Sequence, residues 1–404
     1  MRSQLWEEML RLYFPIHDQD TDFMYSRFLS RENLQPVNFP MEAAVDALCL
    51  VQLGTTHKSA TLLHEAVARY DAAVRTLRSR LAEADAVHDD GVLGAVYILG
   101  FCGLFQAVST DGHAQRTHHL GLESMLLERG PEAKCSTFAQ LLLYNLRHLT
   151  MAFGLVDRKS VAFNSPAWRR CASLTNGLMT DLSNLVMTVP GLLEARDNCM
   201  RQPRRQASKL LNLLICLTTL ERDLQAWLVR WMASFDGLPY WLVNAAKFPH
   251  FMVYFADGLN VFPMAFRFPS FSSGSAQTTY WIALLQVKST ILEMIQLRCG
   301  HPLSGRDRML KEEARECAAN LCQSIAWLTQ PQHGSCGIIR ASGPLHYAAR
   351  WYANAGDLER LEWCRRVKHS IAQRGIASLY ADNFGQDVGT PSSGSHSCES
   401  SEAW

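Results

Sequence analysis

Charge is scarce in this chain. Asp, Glu, Lys and Arg make up 19% of its 404 residues, below the ~25% usual in soluble domains, and 39 basic residues nearly balance 38 acidic ones. A net charge of +1 excludes a basic nucleic-acid module read from charge alone, which needs a positive excess to attract phosphates. A hydrophobic content of 48% excludes a disordered chain. Metal knuckles are missing too: there are 12 cysteines, but no two are separated by two residues. Most, such as Cys102 and Cys216, sit in apolar surroundings where a free thiol behaves as a small buried hydrophobe. No G-x-G-x-x-G and no H-E-x-x-H occurs. Gly300 and Gly305 have the spacing of a phosphate loop, but Arg306 and Asp307 stand where it needs lysine and a hydroxyl. Gly334-Ser335-Cys336-Gly337 lacks the glycine spacing of a nucleophile elbow. Glu7, Glu8 and Asp18 stand where a secretory leader has a basic flank and an apolar run, so a reducing, intracellular setting is expected.

What is present is helical periodicity. Tyr70, Val74, Leu77 and Leu81 lie on one face of a helix expected over 58–87, and Leu142, Leu146, Leu149 and Phe153 repeat the pattern. A helix ending at Arg129 is stopped by Gly130-Pro131, and Pro166 follows a capping Ser165. Another helix stops at Gly356; Asp357 caps the next, with Leu361, Cys364, Val367 and Ile371 on one face. The run Gly91–Thr110 has no charge and could cross a bilayer, but aspartates flank it, so a helix buried on all sides is expected. These signals predict an all-α fold, a multi-helix antiparallel bundle or solenoid-like array. Residues 1–40 read as an N-terminal extension and 41–380 as one all-α domain, with a possible division near 200–208. The Ser/Gly-rich segment 381–404 reads as a disordered tail.

Three constellations allow a functional reading. His113, His118 and His119 share a helix, but 113 and 118 point ~140° apart, which argues against a metal site. His88-Asp89, with His57 and His64 before and Asp157 after, resembles the order in HD-type metal-dependent phosphohydrolases, where His and Asp hold metals for water attack on phosphate. Residue chemistry favours the alternative that Asp89 or Asp90 caps the helix starting at Gly91. Between Trp227 and Trp281, 15 of 55 residues are aromatic, dense enough for a core or for a binding face. Trp227 and Trp231, spaced i, i+4, are expected to be core. Phe262, Phe266, Phe268 and Phe271 lie in a proline-broken stretch and are the candidates for contact with a partner or ligand, because irregular connections usually lie at the surface. Arg204, Arg205 and Lys209 form a candidate nuclear localisation signal.

The segments DDGVLGAVYILGFCGLF (89–105), QRTHHLGLESMLLERGP (115–131), FAQLLLYNLRHLTMAFGLVDRK (138–159) and SPAW (165–168) occur in this order. LTTLERDLQAWLVRW (217–231) and SGPLHYAARWYANAGDLERLEWCRRVKHSIAQRGI (342–376) follow. In that order they resemble the regulatory region of fungal-specific transcription factors, the middle homology region of Zn₂Cys₆ proteins. Members of that family usually carry a cysteine cluster binding two zinc ions; this chain has none, and its first cysteine is Cys49. The resemblance therefore implies a nuclear regulator without zinc-cluster DNA binding, needing no cofactor, that acts through a DNA-binding or other regulatory protein, or through a small apolar metabolite. Among such proteins, pathway-specific regulators of fungal secondary-metabolite clusters, including trichothecene-type mycotoxin clusters, are the nearest in architecture. A non-catalytic helical protein binding an apolar ligand or partner is a further alternative.

Overall fold

The structure, a computed structural model, describes residues 2–14, 39–109, 113–131, 136–171, 177–201, 207–252, 261–299 and 304–376. Within these residues the fold is all-α with one small sheet. The chain runs through α1 (Arg2–Tyr13), α2 (Phe39–Thr56), α3 (Ala60–Arg80), α4 (Asp90–Cys102), α5 (His113–Arg129) and α6 (Thr137–Asp157). Shorter helices follow: α7 (Pro166–Cys171), α8 (Leu178–Val186) and α9 (Val189–Met200). Then come the long α10 (Ala207–Ala233), strand β1 (Trp241–Asn244), the single turn α11 (Pro249–Met252) and β2 (Met264–Arg267). The last four helices are α12 (Phe271–Cys299), α13 (Gly305–Leu328), α14 (Gly334–Ala355) and α15 (Leu358–Ala372).

Local chemistry sets many of these boundaries. Ser59 caps α3 by accepting from the Leu62 N–H, and Ser136 caps α6 through Ala139. Asp89 caps α4, its Oδ1 accepting from the N–H groups of Gly91 and Val92. Ser304 and Asp307 form a reciprocal capping box on α13. Gly130 and Gly356 end α5 and α14 in the left-handed region, and Asp357 accepts from the Arg360 N–H to begin α15. The charge-free run becomes α4, of whose 13 residues ten are buried within the protein. No helix among the described residues is long and apolar enough to cross a membrane.

One hydrophobic core takes side chains from Trp6 to Ile376, on both sides of 200–208. Helix α1 belongs to that core rather than to an extension: Trp6, Met9, Tyr13 and Phe14 are all buried. Its end is seated on Gly334, where φ is +57° and a Cβ would come 2.4 Å from the Leu12 carbonyl oxygen, so a side chain is excluded twice over. Segment 381–404 and most of 1–40 beyond α1 lie outside the described residues.

The aromatic window folds in a way that periodicity does not announce. Strand β2 pairs antiparallel with β1, Trp241 opposite Arg267 and Asn244 opposite Met264, and β2 leans on α13. The expectation of a contact surface at Phe262, Phe266, Phe268 and Phe271 is therefore corrected: all four are at most 6% exposed. Pairing with β1 engages the backbone of Met264–Arg267, and Phe271 opens α12, so regular structure carries much of this stretch into the core. Phe266 and Phe268 then meet Trp281 and Trp327, while Phe262 packs edge-on against Trp363 with ring centroids 4.9 Å apart. Trp227 and Trp231 are core, as the spacing predicts; they stack at 5.3 Å, and the Trp227 Nε1–H donates to the Leu178 carbonyl.

Candidate functional site

Seven helices, α1, α4, α5, α6, α8, α12 and α14, contribute to the lining of a cavity of about 150 Å³. Helix α4, buried on all sides, supplies Val96, Tyr97, Gly100 and Phe101 to its wall. Helix α5 supplies Gln115, His119 and Leu122, spaced i, i+4, i+7 on a single face. That helix enters at a fixed angle because its first turn presses on Gly103: a Cβ there would stand 2.5 Å from the Gln115 backbone nitrogen. Leu146, Leu149 and Leu155 of α6, Ile282 of α12 and Ile339 and Pro344 of α14 close the remaining sides, so the lining is mostly apolar.

The polar groups on this wall include Tyr13, Tyr97, Thr278, Thr279, Arg340 and Tyr347 beside Gln115 and three histidines. His118 Nε2 lies 2.7 Å from the Tyr70 hydroxyl, and burial lowers His118 to about 4 while pushing Tyr70 up to about 12. His148 Nδ1 is 2.9 Å from the Tyr144 carbonyl, which fixes the proton on that nitrogen, and burial lowers this ring to about 4 as well. His119 Nε2 is 3.3 Å from the Thr150 hydroxyl and 3.6 Å from Glu123 Oε2. Burial holds His119 at about 4 and raises Glu123, so the two are neighbours rather than an ion pair. His119 Nδ1 and Gln115 Oε1 are buried without a hydrogen-bond partner, each with under 1 Å² of accessible surface, so neither atom opens onto the cavity.

Such groups bind better than they react. An imidazole that titrates near 4 is a poor base at neutral pH, where effective proton transfer wants a pKa near the working pH. Cys336 also lines the cavity, but burial pushes its thiol up to about 12 and leaves little thiolate for attack.

The residues singled out from sequence are scattered. His57, His64, His88 and His113 are exposed. Asp89 is committed to its cap and to Arg80, 2.9 Å away, and Asp157 pairs with Arg116. Among the described residues no three His, Cys, Asp or Glu side chains come together as a metal-holding group. Lys209 is exposed on α10, whereas Arg204 and Arg205 lie outside the described residues. Cys102 is buried as expected, but Cys216 is exposed, because it falls on the outer face of α10. Of the polar cavity groups, sequence reasoning named His118, His119 and Cys336, and it assigned none of them to a cavity. The available signal was Gln115, polar and on the same face as His119 and Leu122. Comparison with family models, with characterised proteins and with solved structures finds no match to this chain.

Proposed function

We propose that this protein is a transcriptional regulator that acts through partners, without zinc-cluster DNA binding, in the nucleus. The observation that supports it is the fate of the segments resembling fungal transcription-factor regulatory regions. Segments 89–105, 115–131, 138–159 and 342–376 fall on α4, α5, α6 and on α14 with α15, and each lends side chains to the wall of one cavity. Pieces scattered through the sequence thus make one structural unit, which is what a regulatory domain sensing or relaying a signal requires. By architecture the regulated genes are those of a fungal secondary-metabolite cluster, of mycotoxin type, and the partner is a DNA-binding regulator. Transcript profiling after deletion of the gene tests this. Coordinated loss of one group of neighbouring transcripts is expected; an unchanged profile, or exclusion of a fluorescently tagged chain from the nucleus under all conditions, rejects it. The alternative with specific support is a non-catalytic helical protein that binds a small apolar molecule, because the cavity does not need a nuclear role. The phosphohydrolase reading loses ground, since its two carboxylates are each held by an arginine.

A further inference from the structure

We infer that the open cleft between α13 and the last turn of α14 docks a short acidic segment of a partner protein. One apolar side chain of the segment enters the cleft, and its carboxylates meet Arg308 and Lys311. This deepens the reading of a protein that acts through partners, and it rests on that reading for the existence of the partner.

Helix spacing builds the walls. On α13, Arg308, Lys311 and Arg315 stand at i, i+3 and i+7 and so share one face. Opposite them, Trp351 and Ala355 stand at i, i+4 on α14, which stops at Gly356 with φ +71°. The space between is about 140 Å³, close to the ~150 Å³ of engineered cavities that take up benzene. One leucine or phenylalanine side chain fits such a slot.

Charge narrows the class. Two carboxylates also line the cleft, and both are engaged within the chain. Glu312 Oε2 accepts from Arg315 Nε at 2.9 Å, and Asp357 Oδ2 accepts from Arg360 Nη1 at 2.6 Å. Asp357 Oδ1 accepts in turn from the Arg360 N–H as the cap of α15. That leaves Arg308 and Lys311, both exposed, and neither forms an ion pair with a described residue. Two cations fixed three residues apart on a helix, beside an apolar slot, are the complement of carboxylates flanking an apolar side chain. A nucleic acid is a poorer match. Its phosphates continue along the surface, and Glu313 and Glu316, exposed on a neighbouring face of α13, would repel them. The net charge of +1 supplies no broad positive field to offset that repulsion. An uncharged apolar peptide would fill the slot but gain nothing from the two cations.

The test uses the purified full chain and two synthetic fluorescent peptides, with binding followed by polarisation. One peptide alternates aspartate with leucine, and the other carries asparagine in place of each aspartate. At low salt the aspartate peptide is expected to bind at least about tenfold more tightly, and added salt should shrink that margin, because exposed charges are screened. Arg308→Glu combined with Lys311→Glu should erase the aspartate preference while leaving the asparagine peptide within about threefold. Arg75→Glu combined with Arg78→Glu, the same change of charge on exposed residues of α3, should leave the preference in place. Ala355→Trp, at an exposed position on the cleft wall, should fill the slot and abolish binding of both peptides. Each substituted position is exposed, and circular dichroism checks that the variants fold. The inference is overturned if neither peptide binds, if the asparagine peptide binds as well, or if the two charge reversals act alike. It is also overturned if single-stranded DNA of the same length binds more tightly than the aspartate peptide, or if folded Ala355→Trp binds as before. These readouts need only the purified chain. An empty cleft beside an intact transcript response strikes this inference alone, and peptide binding beside an unchanged transcript profile strikes the nuclear reading alone.

Discussion

A single side chain in this protein is placed either by its neighbours in sequence or by partners far along the chain. Phe268 shows the second case. It is 3% exposed and touches Trp281 and Trp327, which lie on two different helices. Truncating it removes a ring from a packed core, so Phe268→Ala should cost ~3–5 kcal/mol, as should Trp231→Ala. Urea denaturation of the two variants decides it: a Phe268→Ala protein as stable as the parent would return 262–271 to the surface. Asp89 shows the first case. Its capping role is readable in the sequence because cap and helix start are adjacent, and a backbone N–H within three residues is all it needs. The burial of Phe262, Phe266, Phe268 and Phe271 is not readable, because it depends on β1 pairing with β2 across α11.

Among elements, α10 and α12 carry the most information. On α10 the inner face holds Leu213, Leu217, Leu220, Leu224, Trp227 and Trp231, a helical stripe legible from spacing alone. Helix α12 has no such stripe, since it is buried on nearly all sides, and periodicity cannot say which of its faces meets what. Its Lys288 is 1% exposed and would be untenable alone. Burial pulls its ammonium toward the neutral form, but Glu221 from α10 and Glu313 from α13 outweigh that and keep it charged, joining three helices through one nitrogen. The two glutamates differ in exposure, 17% against 48%, so Glu221 is the partner that shares the dry environment. Glu221→Leu should therefore cost ~3–5 kcal/mol, because it leaves the buried cation with the half-exposed Glu313 alone, and Lys288→Met should be similarly costly, because it leaves Glu221 without its cation, whereas the double variant Glu221→Leu/Lys288→Met should cost much less. Denaturation midpoints of the three variants give the order directly, and a double variant as unstable as the sum of the singles would mean that the pairing contributes nothing to the junction. The cavity belongs to this scale as well. It exists because seven helices leave space between them, a property that no single stretch of sequence carries.

Across the whole molecule, the buried histidines act in the same direction. Burial lowers His118, His119, His148 and His333 from 6.5 to about 4, and His346 to about 3. Each stays neutral in the folded state over a range where the unfolded chain takes up a proton. Above pH ~7 neither state binds that proton, and stability is independent of these groups. As pH falls below 6.5 the unfolded state gains protons that the folded state refuses, so stability declines until the folded rings titrate near 4. Each histidine of this kind adds ~1.4 kcal/mol of loss per pH unit within that window. Carboxylates cannot mimic the effect there. Asp89 and Asp197 are lowered from 3.8, burial opposing and arginine hydrogen bonds prevailing, so their stabilising contributions are lost only at still lower pH. The urea midpoint should therefore be flat from pH 8.5 to 7 and drop steeply from 6.5 to 5, with His346→Phe making the drop shallower. A midpoint that stays level down to pH 5 would mean that water reaches these rings in the folded protein, and the dry interior around the cavity would have to be given up.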